Sequence, residues 1–232
     1  MPYYGFYFDP TYILIIIGAV ISLMASAKVN STFNRYNQVR SMSGMTGAQA
    51  AQRILQSQGL YEVRVEHING NLTDHYDPRS KVLRLSDSVY NSTSVAAIGV
   101  AAHECGHAIQ DQREYAPLKI RGAIVPAANL GSKACWIFII GGLLFGANSF
   151  LINIGILLFS LSVLFQLVTL PVEFDASRRA VAILGQTGIL GGEELRGTRK
   201  VLSAAALTYV ASAAAAILSL LRLILLFGNR RD

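Results

Sequence analysis

Residues 100–110 read VAAHECGHAIQ, which sets His103 and His107 four apart with Glu104 directly after the first. On an α-helix that spacing puts both imidazoles on one face, one turn from each other. Neutral imidazoles are good zinc ligands, and a catalytic zinc takes three protein ligands and keeps a fourth position for water. Such a metal brings the pKa of water down to about 7, which supplies a nucleophile at neutral pH. Glu104 would lie beside the metal but point aside. It suits the general base that removes the water proton and later delivers it to a leaving amine. The plainer alternative is a helix that happens to carry two histidines. It requires no third ligand, whereas the chemical reading demands one.

Glu173, in LPVEFDASRRAVAIL from position 170, is the leading candidate for that ligand, and Asp111, Glu114, Glu193 and Glu194 are the alternatives. Asp111 sits one turn beyond His107. Glu193 and Glu194 have the character of acidic residues at a helix start. Asp175, Arg178, His75 and Tyr76 are candidates for orienting a ligand or stabilising an oxyanion. His67, at a strand end, is expected to be solvated, and Cys105 to be a small core residue.

The elements that must position these residues lie in and beside a membrane. The chain of 232 residues is 52% hydrophobic and 15% charged, with mean hydropathy +0.41 and net charge +6. Soluble domains carry about 25% charged residues. The Arg and Lys residues are scattered rather than gathered into a basic face with aromatics, which excludes a nucleic-acid partner. Two cysteines make no disulfide framework.

Four apolar runs stand out at 11–27, 134–148, 150–170 and 201–227. They predict a membrane helix over 11–27 after an N-terminal tail 1–10, a membrane hairpin over 134–170, and a fourth membrane or membrane-packed helix over 201–227 before a tail 228–232. Tyr3, Tyr4, Phe6, Tyr7, Phe8 and Tyr12 form an aromatic belt at the first run. The second run is short for a full span unless it extends back through Pro126. Ala and Ser in the fourth suit close helix packing. Lys28, Arg35 and Arg40 follow the first run with no basic residue before it, so the positive-inside rule puts 28–133 in the cytoplasm. Two spans then return 171–200, a third-ligand helix and Gly-rich loop, to the same side. The rule disfavours the outward C-terminal NRRD, so a tilted, interfacial or re-entrant fourth segment is the competing expectation.

Residues 28–133 are expected to form a small α+β region. Thr46-Gly-Ala-Gln49 is a capping box for a helix reaching about Ser57 and stopping at Gly59. Residues 61–68 alternate as a strand, Asn69-Gly70 is a hairpin signal, and DPRS at 77–80 is the turn before a strand 82–86. That last strand is a candidate for binding substrate by strand addition. NSTS at 91–94 caps a helix of about 95–112 that carries the histidines.

DHYDPR at 74–79, LSDSVYNSTSVAAIGVAAHECGHAIQ at 85–110, LPVEFDASRRA at 170–180 and AALTYVA at 205–211 together resemble the YugP-like membrane-bound neutral zinc metallopeptidases. More distantly they are similar to the HtpX-type and CAAX-prenyl-protease-type membrane zinc enzymes. The resemblance implies a zincin-like, gluzincin-type domain and one zinc on His103, His107 and Glu173, with Glu104 as catalytic acid and base. It also implies a multi-pass cell-membrane peptidase acting at the cytoplasmic face on membrane or unfolded polypeptides. The HtpX-type pattern Glu-Phe-x-Ala-Asp has Ser177 in place of its Asp here, so Asp175 or another carboxylate is expected to orient a ligand histidine. A non-catalytic zinc-binding membrane scaffold is the competing function. A metal transporter ranks last, because the first and third runs carry no ionisable residue.

Overall fold

The computed structural model describes residues 9–146 and 148–228. Most of the expected aromatic belt (Tyr3, Tyr4, Phe6, Tyr7, Phe8) and the last four residues lie outside the described residues. The described elements are α1 (Tyr12–Asn37), α2 (Gly47–Ser57), β1 (Arg64–Ile68), β2 (His75–Asp77), β3 (Val82–Ser86), α3 (Val95–Gln112), α4 (Ala116–Leu144), α5 (Ser149–Gln186) and α6 (Gly192–Phe227). Helices α1, α4, α5 and α6 are each long and apolar enough to cross a membrane. The chain divides into two compact units. The described residues of one fall within 1–24, 122–167 and 210–232, and the other spans 25–121 and 168–209.

The first unit is helical. The short second apolar run is completed by backward extension, since α4 runs through Pro126 to Ala116. Helices α4 and α5 form the expected hairpin, and small residues set its spacing. A Cβ on Gly131 would stand 2.8 Å from the Leu158 carbonyl oxygen, and one on Gly155 would stand 2.9 Å from that of Cys135. Both contacts are closer than a side chain tolerates. α6 runs antiparallel to α1, with Gly18 against Ala215 and Asp9 paired to Arg222 at 3.2 Å. Arg222 also lies 4.2 Å over the Tyr12 ring. The fourth segment lies in one continuous helix of 36 residues, and its late arginine has a carboxylate partner.

The second unit holds the sheet and α3. Thr46 and Gln49 form the reciprocal capping box that opens α2, and Gly59, at φ +74°, follows its end. Ala50, Ala51, Ile54 and Leu55 of α2 are buried in one core with Ile98, Ala101, Cys105 and Ile109 of α3. The strand order is β1-β3-β2, with β1 parallel and β2 antiparallel to β3.

This order corrects two expectations. Asn69-Gly70 makes no hairpin, because its backbone is tied to Asp87, beyond β3: Gly70 N–H donates to the Asp87 carboxylate and Gly70 C=O accepts from Asp87 N–H. The antiparallel turn is the DPRS segment, where Asp77 accepts from Arg79 N–H and the Ser80 hydroxyl. β3 is central, with both edges paired, so it cannot add a substrate strand.

The start of α3 is fixed at several points. Ser94 caps it by accepting from Ala97 N–H and donates to Asn37 at the end of α1, while Val95 N–H donates to the Val39 carbonyl. Helix α5 runs unbroken through Pro171, so the third-ligand stretch continues the apolar helix. Between α5 and α6 only residues 187–191 are non-helical.

Candidate metal centre

His103 and His107 project from α3 toward Glu173 on α5. Glu173 Oε2 lies 3.3 Å from His103 Nε2 and 3.6 Å from His107 Nε2. Tetrahedral bonds of about 2.0–2.1 Å place neighbouring ligand atoms about 3.3–3.4 Å apart, close to this separation. The two imidazoles stand nearly perpendicular, at 82°. Among the described residues these three form the set whose ligand atoms, all within 4.8 Å of one another, could hold a metal ion.

The surrounding hydrogen bonds hold the side chains of that set in place. Gln110 is wholly buried, and its Nε2 donates to the Val172 carbonyl and to Asp175. Its Oε1 is thereby turned to His107 Nδ1, 3.0 Å away, which must carry the proton of that bond. His107 Nε2 faces Glu173. Ser177 Oγ lies 3.1 Å from His103 Nδ1 and can fix that ring in the same tautomer. Arg121 donates to Glu173 Oε1 at 2.9 Å, while Oε2 is buried with no hydrogen-bond partner. Glu173 Oε2 and the two imidazole Nε2 atoms thus converge at ligand spacing. A cation satisfies all three, and two imidazoles with one carboxylate are a donor set suited to zinc.

Glu104 is buried beside this cluster, and burial pushes its carboxyl up to about 7. Glu173 and Asp74 act in the same direction, while His103 and the Tyr76 backbone N–H oppose them. Strand β2 therefore meets the site through its backbone rather than through the side chains expected there.

Those side chains are engaged elsewhere. His75 Nδ1 meets the Thr73 carbonyl, and the Tyr76 hydroxyl donates to Asp111. Asp111 also takes Lys81, Glu114 pairs with Lys119, Glu193 with Arg196, and Glu194 accepts from Met42 N–H. Each alternative third ligand is thus committed away from the histidines. Arg178 is exposed and pairs with Asp175, so it does not face the cluster. Asp175 accepts from Gln110, whose Oε1 meets His107, while Ser177 lies beside His103. His67 is not merely solvated but bonds Asp87 at 2.7 Å, and Cys105 is buried as expected.

The family model described as "Putative neutral zinc metallopeptidase" matches residues 11–228. The chain belongs to this zinc metallopeptidase family. It is 49% identical over 222 residues to "Putative membrane protease YugP" of Bacillus subtilis (strain 168), covering 95% of this chain and 98% of that protein. No solved structure matches it.

In this family member, sequence reading missed Gln110, Arg121 and Tyr209. Gln110 could have been found, since it stands three residues after His107 on the same helix face. Arg121 carries no local signal. Tyr209, in AALTYVA, has its side chain beside Glu173 and Glu104, a contact between distant helices. Replacing Gln110 with Leu should weaken zinc binding about 10- to 100-fold, the range for removing a partner that orients a ligand. Competition with a chromophoric chelator measures this.

Zinc binding should also displace the Glu104 proton. In the apo-protein Glu104 is mostly protonated at about pH 6, and a nearby dication favours the ionised form. Wild type should therefore release about one proton more than Glu104→Gln on binding zinc at about pH 6, and the difference should vanish above about pH 8.5. Zinc titrations in buffers of different ionisation enthalpy read the number directly.

Proposed function

We propose that this chain is a membrane-embedded zinc endopeptidase of gluzincin type, with one zinc held by His103, His107 and Glu173. The observation that carries the reading is the buried Glu173 Oε2 facing two imidazole Nε2 atoms at ligand spacing, with Glu104 buried alongside. Zinc, when bound, supplies Lewis acidity that acidifies a water and polarises a peptide carbonyl. Glu104 accepts the proton of the attacking water and returns it to the departing amine. Gln110 and Ser177 hold the imidazoles in the tautomer that presents Nε2, and Arg121 holds Glu173 through its other oxygen.

The substrates are membrane proteins or unfolded chains, cut at the cytoplasmic face of the cell membrane. The charge pattern about α1 supports that orientation. Reporter tags near positions 105 and 180 should label from the cytoplasm, and labelling in opposite compartments would exclude a shared ion. A zinc scaffold is the weaker reading, because a structural zinc is closed by a fourth protein ligand and three converge among the described residues.

The test is made on the full chain purified in detergent. It should contain one zinc per chain and cleave casein. Dialysis against 1,10-phenanthroline should abolish cleavage, and added zinc should restore it. Zinc without cleavage in either state would favour the scaffold.

A further inference from the structure

A second cluster of charged residues lies within the unit formed by residues 25–121 and 168–209, away from the metal ligands. Lys28 and Arg35 of α1 and Arg196, Arg199 and Lys200 of α6 line one cavity of about 540 Å³. This volume falls in the range of small-molecule sites. The residues are in register along both helices. Lys28, Thr32 and Arg35 follow at intervals of four and three, and Arg196, Lys200, Ser203 and Leu207 repeat the pattern on α6, so each helix presents one stripe. Tyr36 adds an aromatic wall, and its ring lies 2.7 Å from where a Cβ on Gly197 would stand. The two helices therefore close tightly at this end of the cavity.

Five cations in one cavity repel one another, and only Arg196 has a carboxylate, that of Glu193. Among the described residues, Lys28, Arg35, Arg199 and Lys200 form no ion pair. Their placement along the helices bears on which anion suits them. Lys28 directly follows the apolar run 11–27, and Lys200 directly precedes the apolar run 201–227. On α6 the lining passes from Arg196 and Lys200 to Ala204 and then to half-exposed Leu207. A charged mouth that grades into an apolar wall fits an amphiphile better than a free anion. Basic pockets between helices at a membrane border have this chemistry for lipid phosphates.

We propose that this cavity binds the phosphate headgroup of an anionic phospholipid, with Arg35, Arg199 and Lys200 on the phosphate oxygens and the first acyl carbons against Leu207. The site stands independently of the peptidase reading, since none of its residues belongs to the metal cluster.

The full chain in uncharged detergent is melted with phosphatidylglycerol, with phosphatidylcholine, or with inorganic phosphate at equal phosphate concentration. Phosphatidylglycerol should raise the melting midpoint of wild type by about 5 °C at saturation. Phosphatidylcholine and inorganic phosphate should raise it by less than about 1 °C. Arg35→Gln/Arg199→Gln should melt cooperatively without lipid and lose most of the shift. Lys28→Gln/Lys200→Gln serves as a second pair should the first fail to fold, and Lys119→Gln/Lys133→Gln, outside the cavity, should keep the shift. An equal shift with phosphatidylcholine would overturn the proposal, as would a full shift in folded cavity variants. A full shift with inorganic phosphate would make this an anion site and overturn the lipid assignment.

Discussion

Glu104→Gln is expected to keep its zinc and lose peptide hydrolysis. The two results separate because Glu104 is not among the three converging ligand atoms, which belong to His103, His107 and Glu173. The amide matches the carboxyl in shape but has no basic oxygen for the water proton and none to return to the amine. Proton transfer by a positioned group contributes roughly 10²- to 10⁴-fold, so casein cleavage should fall by about that factor. Folding should not suffer, because a buried carboxyl raised to about 7 is already costly to ionise, and the amide removes that cost. The thermal midpoint at about pH 8 should therefore hold or rise in the apo-protein. Glu173→Ala should behave oppositely and lose metal and cleavage together. Zinc content and initial cleavage rate, measured on the same preparations, distinguish the two. Normal cleavage by Glu104→Gln would end the proposed mechanism.

The features legible in the sequence were those written locally. Thr46 and Gln49 announce a cap because both partners of the box lie within one turn, and Ser94 announces another for the same reason. The histidine pair is readable because helical geometry converts a spacing of four into a shared face. Glu173 was the leading candidate because it follows the third apolar run directly, where a carboxylate can complete the set, and two intervening spans keep it on the histidines' side. The structure brings it to the histidines and commits Asp111, Glu114, Glu193 and Glu194 to other partners.

What was misread depends on pairing between distant segments. Asn69-Gly70 looked like a hairpin because a turn signal does not say which strand comes next to which. β1 pairs parallel to β3, whose Leu83 and Leu85 are buried in one core with α2 and α3. His75 and Tyr76 were placed near the chemistry by sequence position, yet β2 presents its backbone to Glu104 and sends the Tyr76 hydroxyl to Asp111. Ser177 left open which groups orient the ligands. Ser177 lies 3.1 Å from His103 Nδ1, and Gln110, itself bonded to Asp175, meets His107 Nδ1.

The distance between α3 and α5 holds the ligands together, and Gly106 sets that distance. It lies between the two histidines in sequence and faces Ala176 of α5, one turn beyond Glu173. A Cβ at Gly106 would stand 2.6 Å from the Ala176 carbonyl oxygen and 3.1 Å from its Cα. These are backbone atoms, which cannot rotate away as a flexible side chain would. Gly106→Ala must therefore push the helices apart by an appreciable fraction of an ångström at the level of the metal ligands. Helix propensity alone would favour Ala by about 1 kcal/mol, whereas overpacking of this kind costs about 1–3 kcal/mol, so the variant should be destabilised on balance. The larger effect falls on the site. Glu173 must close on two Nε2 atoms at 3.3 and 3.6 Å, and a catalytic constellation tolerates displacement of only about 0.5 Å. Zinc affinity should fall more than about 100-fold, with cleavage lost at zinc concentrations that saturate wild type. Ala108, wholly buried on the same helix but packed in the apolar core, provides the comparison. Ala108→Gly should lower the melting midpoint with little change in zinc affinity. If Gly106→Ala binds zinc as wild type does, the close contact of α3 with α5 does not set the geometry of the centre.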